Sequence, residues 1–267
     1  MAAGVNVRTA HGYAARVDLL AETWRFEVAT QDRCSERIEP FRWGSAIFRL
    51  DMPRVHDQNL LRMERGFDEV SARELEAEAD RIQRPAGLSH RKVIVPDEEA
   101  GERLASEFSE LGWRRARHVV MALRGDAPGE SRHSVREVES PALREARTRA
   151  FEGELGRVAA GQVAASLDLI ASVVPTRAFA VEADGVPVSW CALYEEDRIG
   201  QIDDVVTAPD YRRRGFGRAV VEAAIRASLA DGNRTTFLVA DDDDWPKELY
   251  ARLGFEPIGR RYEFTRS

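Results

Sequence analysis

Cysteine is scarce in this sequence. Cys34 and Cys191 are its only cysteines, and they lie far apart along the chain. Neither has a second cysteine or a histidine at the spacing that zinc ligands usually show, so the sequence predicts no metal cofactor. A disulfide is not expected either. Cys191 follows Trp190 in an apolar stretch, and we expect it to be a small core residue.

Long hydrophobic runs are also missing. No stretch approaches the ~20 apolar residues that a membrane helix needs, and the first residues lack the apolar segment of a secretion signal. We therefore expect a soluble, cytoplasmic protein. Lysine occurs only at Lys92 and Lys247, so arginine supplies nearly all of the positive charge. The formal net charge is −7, which disfavours nucleic acid and anionic membrane as partners and favours small cationic or neutral molecules.

The chain of 267 residues is long enough for two domains, and a polar segment near its middle indicates a boundary. Residues 124–131 include glycine, proline and acidic residues and are typical of a linker. Each side ends with the same order of features: an apolar strand, an acidic loop, a helix that closes on Leu-Gly-aromatic, and a final strand. This order indicates an internal repeat. We predict one domain over residues 1–127 and another over residues 128–267.

One turn in the second half has the properties of an anion-binding site. Residues 205–207 lead through Pro209 into a Gly215-x-Gly217 pair, and an apolar-periodic helix follows. Glycines let backbone N–H groups converge on a bulky anion, and the helix start adds further unpaired donors. The spacing is not Gly-x-Gly-x-x-Gly and no Gly-Lys-Ser/Thr follows, which argues against a dinucleotide fold and a P-loop. The expected ligand is a phosphate or pyrophosphate.

Two motifs in this half resemble the Gcn5-related N-acetyltransferase (GNAT) family. Residues 212–217, with the spacing Arg-x-x-Gly-x-Gly, are similar to the loop that binds the acyl-CoA pyrophosphate in that family, and residues 249–255 are similar to its Leu-Tyr-x-x-Leu-Gly-Phe segment. The resemblance implies an α/β (α+β) fold with two tandem acyl-CoA N-acyltransferase-like domains, each a mixed central sheet flanked by helices. It also implies that strands 199–207 and 235–240 run parallel and then diverge, leaving a slot for the pantetheine arm.

The resemblance implies an enzyme that transfers an acetyl group from acetyl-CoA to a primary amine, by direct attack in a ternary complex. The acceptor would be a small-molecule amine or a protein amine, and the sequence leaves a homodimer open. A second interpretation is a non-catalytic acyl-CoA sensor or interaction module. The first half would be a degenerate copy without cofactor, because its residues 68–80 form an acidic, helix-prone segment that lacks glycine and would repel phosphate.

The resemblance also assigns roles to individual residues. The residues that would bind the cofactor are Val205, Val206, Thr207, Arg212, Arg213, Arg214, Gly215, Phe216, Gly217 and Arg218. Tyr250 occupies the family position that protonates the departing thiolate, and core packing is the alternative. Asp203 and Asp204 are candidate general bases, since consecutive strand residues point to opposite faces. For these two carboxylates the alternative is solvation at a strand edge or a hydrogen bond to the backbone.

The four aspartates at residues 241–244 allow two interpretations. Carboxylates beside the slot would attract a cationic acceptor amine. Alternatively, Asp243 or Asp244 caps the following helix, with Pro246 in its first turn. A calcium loop is not indicated, because the carboxylates are consecutive instead of alternating around a glycine.

Overall fold

The computed structural model describes residues 7–267, with side chains from Asp18 onward; the first residues, for which no secretion signal is predicted, lie outside this range. The helices are α1 (Val7–Cys34), α2 (Ala72–Gln83), α3 (Glu98–Glu110), α4 (Arg144–Leu155), α5 (Arg157–Val173), α6 (Phe216–Ala230) and α7 (Pro246–Arg252). The strands are β1 (Arg37–Phe41), β2 (Gly44–Phe48), β3 (Leu60–Met63), β4 (Arg91–Val95), β5 (Arg114–Leu123), β6 (Arg136–Val138), β7 (Thr176–Ala183), β8 (Val186–Glu196), β9 (Ile199–Thr207), β10 (Thr235–Asp241) and β11 (Phe255–Arg266). Within residues 7–267, no helix has the length and apolar character needed to cross a membrane.

Across the described residues the strands form one continuous sheet of eleven strands, in the order β1-β2-β3-β4-β11-β5-β10-β9-β8-β7-β6. β3 runs parallel to β4 and β9 runs parallel to β10, whereas the other neighbours are antiparallel. Helices pack on both faces of the sheet. The predicted α/β (α+β) architecture, a mixed sheet flanked by helices, is confirmed.

The last strands of the two halves change places within this sheet. β5 ends the first half but lies between β10 and β11, and β11 ends the chain but lies between β4 and β5. The two strands pair antiparallel, from Phe255 opposite Leu123 to Thr265 opposite Arg114. Each half therefore needs a strand of the other to complete its sheet. The boundary expected between residues 127 and 128 follows β5 and stays a prediction.

Alternation along β5 divides the core of the second half into two layers. Val119 and Met121 face a cluster under α6 and α7. Val120 and Ala122 face the opposite side, where Phe26 of α1 and residues of α5 pack on the sheet. The long helix α1 therefore belongs in sequence to the first half but covers strands of the second half.

In the first half, the segment that corresponds to the anion site is the start of α2, where two carboxylates form hydrogen bonds with backbone amides. Helix α2 begins after Ser71, whose side chain accepts a hydrogen bond from the Glu74 amide while the Glu74 carboxylate accepts one from the Ser71 amide. The Ala72 amide donates to the carboxylate of Glu107 at 2.9 Å. Two first-turn amides of α2 are thus already bonded, that of Glu74 to the Ser71 hydroxyl and that of Ala72 to a carboxylate, and the nearby negative charge disfavours a phosphate at this end.

Candidate active site

The turn between β9 and α6 has the backbone conformation that its glycines allow. After a short turn at Pro209–Tyr211, Arg213 and Gly215 have φ of 61° and 85°, and α6 begins at Phe216. Gly215 is the residue before the helix, and its left-handed conformation costs glycine little. The chain is thereby bent so that the start of α6 faces the end of β9.

The backbone amides of this turn are available for a ligand. The Tyr211 and Arg212 amides donate to carbonyls within the turn, and the Ala219 amide donates to Gly215. No amide from residue 213 to residue 218 donates to an acceptor among the described residues. A row of free N–H groups at the start of a fifteen-residue helix is an anion site of main-chain origin.

The arginines of the turn mostly hold it in place. Arg212 Nε donates to the Thr207 carbonyl at 3.2 Å, and Arg214 donates to the Asp210 carbonyl at 2.9 Å. Arg218 pairs with Glu222 at 2.7 Å, one helical turn further on. Their charge still raises the local potential, but the groups that converge at the turn are backbone amides.

Strands β9 and β10 separate after a short parallel ladder. Their pairing covers Thr235–Phe237 opposite Ile199–Gln201 and then stops, while β9 continues to Thr207 and β10 to Asp241. Beyond Gln201, the edge of β9 that faces β10 has no strand partner within residues 7–267. The parallel course and the divergence that the resemblance implies are both present, and the slot ends beside the free amides.

A β-bulge at Asp204 separates the two neighbouring aspartates. Asp204 has a φ of 51°, and the pairing with β8 shifts there, so that Trp190 lies opposite Val206 but Ala192 lies opposite Asp203. The left-handed residue turns the two side chains into different surroundings.

The carboxylate of Asp204 is buried and paired. It accepts a hydrogen bond from Arg147 Nε at 2.7 Å, and neither side chain is more than 1% exposed. Arg147 lies on α4 and also contacts Asp168 and Ser140. Burial raises the pKa of Asp204 to about 6, against the opposing effect of the Arg147 charge. This environment suits a structural ion pair better than contact with an acceptor.

Asp203 instead opens into a cavity of about 170 Å³ between α1 and the sheet. We call it the α1 cavity; its wall includes Glu27, Tyr194, Gln201, Asp203, Arg261 and Glu263. One carboxylate oxygen of Asp203 accepts from the Asp204 amide at 2.8 Å, and within residues 18–267 it forms no ion pair. Although solvent reaches it, the crowding of protein around it raises its pKa through desolvation, and the nearby Glu27 adds to the shift.

A neighbouring cavity of about 200 Å³ shares Trp24, Glu27 and Arg261 with the α1 cavity. No residue of β9 or β10 contributes to its wall. Of the two, the α1 cavity is the one that borders β9, through Gln201 and Asp203, at the point where the pairing with β10 stops.

Tyr250 lies on α7, on the opposite side of the sheet from α1. It is 7% exposed and meets Phe255 edge to face, with ring centroids 6.3 Å apart. Burial raises the pKa of its hydroxyl above the ordinary value, and Cys191 and Asp203 add to the rise. The hydroxyl thus stays protonated at neutral pH, and it makes no hydrogen bond to any residue that the structure describes.

Comparison with known proteins places this site in a family. Residues 140–255 match the model of the acetyltransferase (GNAT) family. Residues 140–255 form a GNAT acetyltransferase domain. An uncharacterized N-acetyltransferase from Methanocaldococcus jannaschii is 33% identical over an alignment 86 residues long, which covers 29% of this chain. That match spans only 38% of the archaeal protein's length.

Solved structures share the fold of the wider chain. A functionally unknown conserved protein from Staphylococcus epidermidis superposes with a TM-score of 0.69 at 16% identity, over 87% of this chain and 94% of that one. A tandem GNAT protein from the clavulanic acid biosynthesis pathway gives a TM-score of 0.50 at 18% identity, over 73% of this chain and 69% of that one. The tandem architecture around the GNAT domain therefore recurs in other proteins.

The acidic run after β10 of the GNAT domain is largely neutralised. Asp242 bonds Arg260 at 2.7 Å, and Asp243 lies 2.9 Å from both Arg115 and Arg117. Burial alone would raise the pKa of Asp242, but the hydrogen bonds from Arg260 and Lys247 outweigh it and lower the pKa. These two carboxylates are therefore not free to attract an acceptor.

The prediction that Asp243 or Asp244 caps α7 is wrong, whereas Pro246 does lie in the first turn of that helix. Helix α7 begins at Pro246, and the residue in the cap position is Trp245, which makes no side-chain cap. The Asp244 carboxylate accepts from the Trp245 amide at 2.7 Å, and Asp241 accepts from the Asp243 amide. The aspartates stabilise the turn before the helix and do not bond the helix amides.

Sequence reasoning missed two parts of the site. The buried position of Arg147 could not be predicted, because arginine is the common cation of this chain and no neighbouring residue distinguishes a buried arginine from an exposed one. The wall of the α1 cavity combines residues separated by more than two hundred positions, such as Glu27 and Arg261, which are 2.9 Å apart. Only the tertiary structure brings them together.

Within the described residues there is no group of three or more histidine, cysteine or acidic side chains arranged to hold a metal ion.

Proposed function

We propose that the GNAT domain is an N-acetyltransferase that moves an acetyl group from acetyl-CoA to a primary amine. The observation that supports this most directly is the row of backbone amides at residues 213–218 without acceptors in the described part of the chain. A diphosphate has the charge and size to bind such a row. The slot between β9 and β10 ends at the same place, so one extended molecule can occupy both.

Acetyl-CoA supplies the acetyl group as an activated thioester. The amides at residues 213–218 would hold its diphosphate, with Arg212 and Arg218 adding positive charge. The backbone of Val205, Val206 and Thr207 would pair with the amide groups of the pantetheine arm, because no described strand lies beside β9 there. Gly217 leaves room between the start of α6 and the end of β9, because a Cβ at this position would lie 3.1 Å from Thr207 Oγ1.

The two proton transfers of the reaction fall to side chains on opposite faces of the sheet. Asp203, open to the α1 cavity and without an ion pair among the described side chains, would accept the proton of the attacking amine directly or through water. Tyr250, protonated and without a hydrogen-bond partner in the described part of the chain, would donate a proton to the departing sulfur. A backbone N–H of β9 would stabilise the negative charge that develops on the carbonyl oxygen, a contribution of about 3 kcal/mol in comparable sites. We assign Asp204 to support of the bulge.

The proposal is tested by turnover. The full-length protein is incubated with acetyl-CoA and a panel of primary amines, and the release of free thiol is followed. We expect thiol release that depends on an amine and yields an N-acetylated product. Binding of acetyl-CoA without turnover on any amine would contradict the enzyme and would favour the acyl-CoA sensor.

A further inference from the structure

The α1 cavity carries more negative charge than its neighbouring cations offset. Four carboxylates line it, those of Glu27, Asp57, Asp203 and Glu263. Arg261 bonds Glu27, and the buried Lys92 contacts both Asp57 and Glu263. With His118 beside Glu263 counted as neutral, the set keeps a formal charge of −2. A ligand with two positive charges would balance it.

Three buried polar residues in the wall of the same cavity have a side-chain oxygen without a partner among the described residues. Thr30, Gln58 and Tyr194 line it and are 8%, 5% and 2% exposed. The Thr30 hydroxyl, the Gln58 carbonyl oxygen and the Tyr194 hydroxyl have no hydrogen-bond partner among the described residues. Buried polar atoms in native proteins are nearly always satisfied, so such a cluster requires a ligand group or water to complete it. All three oxygens can accept a hydrogen bond from an ammonium group.

Apolar surface separates these polar groups. Val28 of α1, Ile94 of β4 and Ile170 of α5 also line the cavity, and so does the indole of Trp24. A short aliphatic chain can pack on this surface, and an aromatic face also attracts a cation. The wall thus combines acceptors for ammonium groups with an apolar middle.

We propose that the α1 cavity binds the acceptor and that the acceptor is a small aliphatic diamine. This inference rests on the proposed acetyl transfer, in which the reacting amine lies at Asp203. The second ammonium group would donate to the oxygens of Thr30 and Gln58. Because these residues belong to the first half of the chain, the half without a cofactor loop supplies the specificity of the other half.

The test measures binding of two probes that differ in one charge. Putrescine and n-butylamine have the same carbon chain, but only putrescine carries a second amine. Isothermal titration of the full-length protein without cofactor should show putrescine binding at least about tenfold more tightly, since a charged hydrogen bond is lost in n-butylamine. Equal affinities, or no binding of putrescine, would overturn the inference.

Two lysine substitutions on α1 locate the site. Val28→Lys places a cation in the cavity, whereas Ala29→Lys adds the same charge on the exposed side of the helix. We expect Val28→Lys to weaken putrescine binding about tenfold or more through repulsion, and Ala29→Lys to leave it unchanged. The increase in thermal stability caused by acetyl-CoA reports folding of each variant. Identical behaviour of the two variants would place the amine elsewhere.

A third variant removes one acceptor atom and keeps the shape. Thr30→Val should reduce the preference for putrescine over n-butylamine severalfold without weakening n-butylamine itself. An unchanged preference would contradict the assigned position of the second ammonium group. Putrescine binding without thiol release would support the binding site and contradict the acetyl transfer. Thiol release from n-butylamine and putrescine with equal efficiency would support the transfer and contradict the diamine.

Discussion

The guanidinium of Arg147 and the carboxylate of Asp204 lie 2.7 Å apart, with both side chains shut off from solvent. This ion pair joins α4 to the bulge of β9. The bulge in turn directs the neighbouring Asp203 into the α1 cavity. Arg147 therefore supports the position of the proposed base without contacting the reacting groups.

Arg147→Met should destabilise the protein strongly. Removal of one partner leaves a buried charge uncompensated, which typically costs about 3–5 kcal/mol. Urea denaturation measures the loss. Arg149→Met is the matched control on the same helix, because Arg149 forms an exposed pair with Glu145, and pairs of that kind contribute less than about 1 kcal/mol. Equal losses of unfolding free energy in the two variants would show that the buried pair stabilises the fold no more than the exposed one.

The raised pKa of Asp204 predicts a pH dependence of stability. The folded value is about 6, whereas an unfolded aspartate titrates near ~3.9. The folded state therefore binds the proton of Asp204 more tightly than the unfolded state does. The resulting contribution to the free energy of unfolding is full at low pH and is lost as the pH rises through the pKa of the folded state. Relative to Asp204→Asn, the wild type should lose roughly 2–3 kcal/mol of unfolding free energy between pH ~4 and pH ~7. A constant difference across this range would contradict the raised pKa.

Asp203→Asn should impair catalysis while the fold persists. The asparagine oxygen can still accept the Asp204 amide, but it cannot accept the proton of the amine, so kcat should fall by about 100-fold or more. In the wild type, kcat/KM should rise with pH through a midpoint above the ordinary aspartate value, because desolvation raises the pKa of Asp203. In Asp203→Asn, kcat/KM should not show this rise with pH.

Asp243→Asn serves as the control for the loss of one carboxylate. Asp243 is paired with Arg115 and Arg117, so its removal should leave the rate on the amine unchanged. If Asp243→Asn and Asp203→Asn lose activity equally, the base lies elsewhere.

Tyr250→Phe should lower kcat by about 100-fold and leave the affinity for acetyl-CoA nearly unchanged, because the hydroxyl is needed for proton donation and not for binding. Its removal breaks no hydrogen bond within the described residues, so thermal stability should hold. Tyr262→Phe is the control: its hydroxyl bonds Glu102, on α3 of the first half. A fully active Tyr250→Phe would restrict Tyr250 to core packing.

Local chemistry made much of the GNAT domain predictable from the sequence. The left-handed Gly215 and the strand before it follow from residues adjacent in the chain, and the divergence of β9 from β10 followed from the family resemblance. The GNAT relationship and the mixed sheet are confirmed. The roles of the individual site residues stay predictions.

Other features depend on contacts that no local pattern encodes. The exchange of β5 and β11 brings Phe255 opposite Leu123, and no local sequence pattern distinguishes this pairing from one within each half. The different surroundings of the Asp203 and Asp204 side chains depend on the left-handed conformation of Asp204 within a strand. Aspartate adopts this conformation only occasionally. The α1 cavity exists because α1 lies across strands of the other half.

The central claim is that the free amides at residues 213–218 bind the diphosphate of acetyl-CoA. Isothermal titration with acetyl-CoA compares the wild type with Gly217→Glu and with Gly153→Glu, where the same side chain meets open space on α4. We predict that the wild type and Gly153→Glu bind alike, and that Gly217→Glu loses at least about 100-fold in affinity through steric overlap and charge repulsion. Wild-type protein that fails to bind millimolar acetyl-CoA, or Gly217→Glu that binds as the wild type does, would contradict the account.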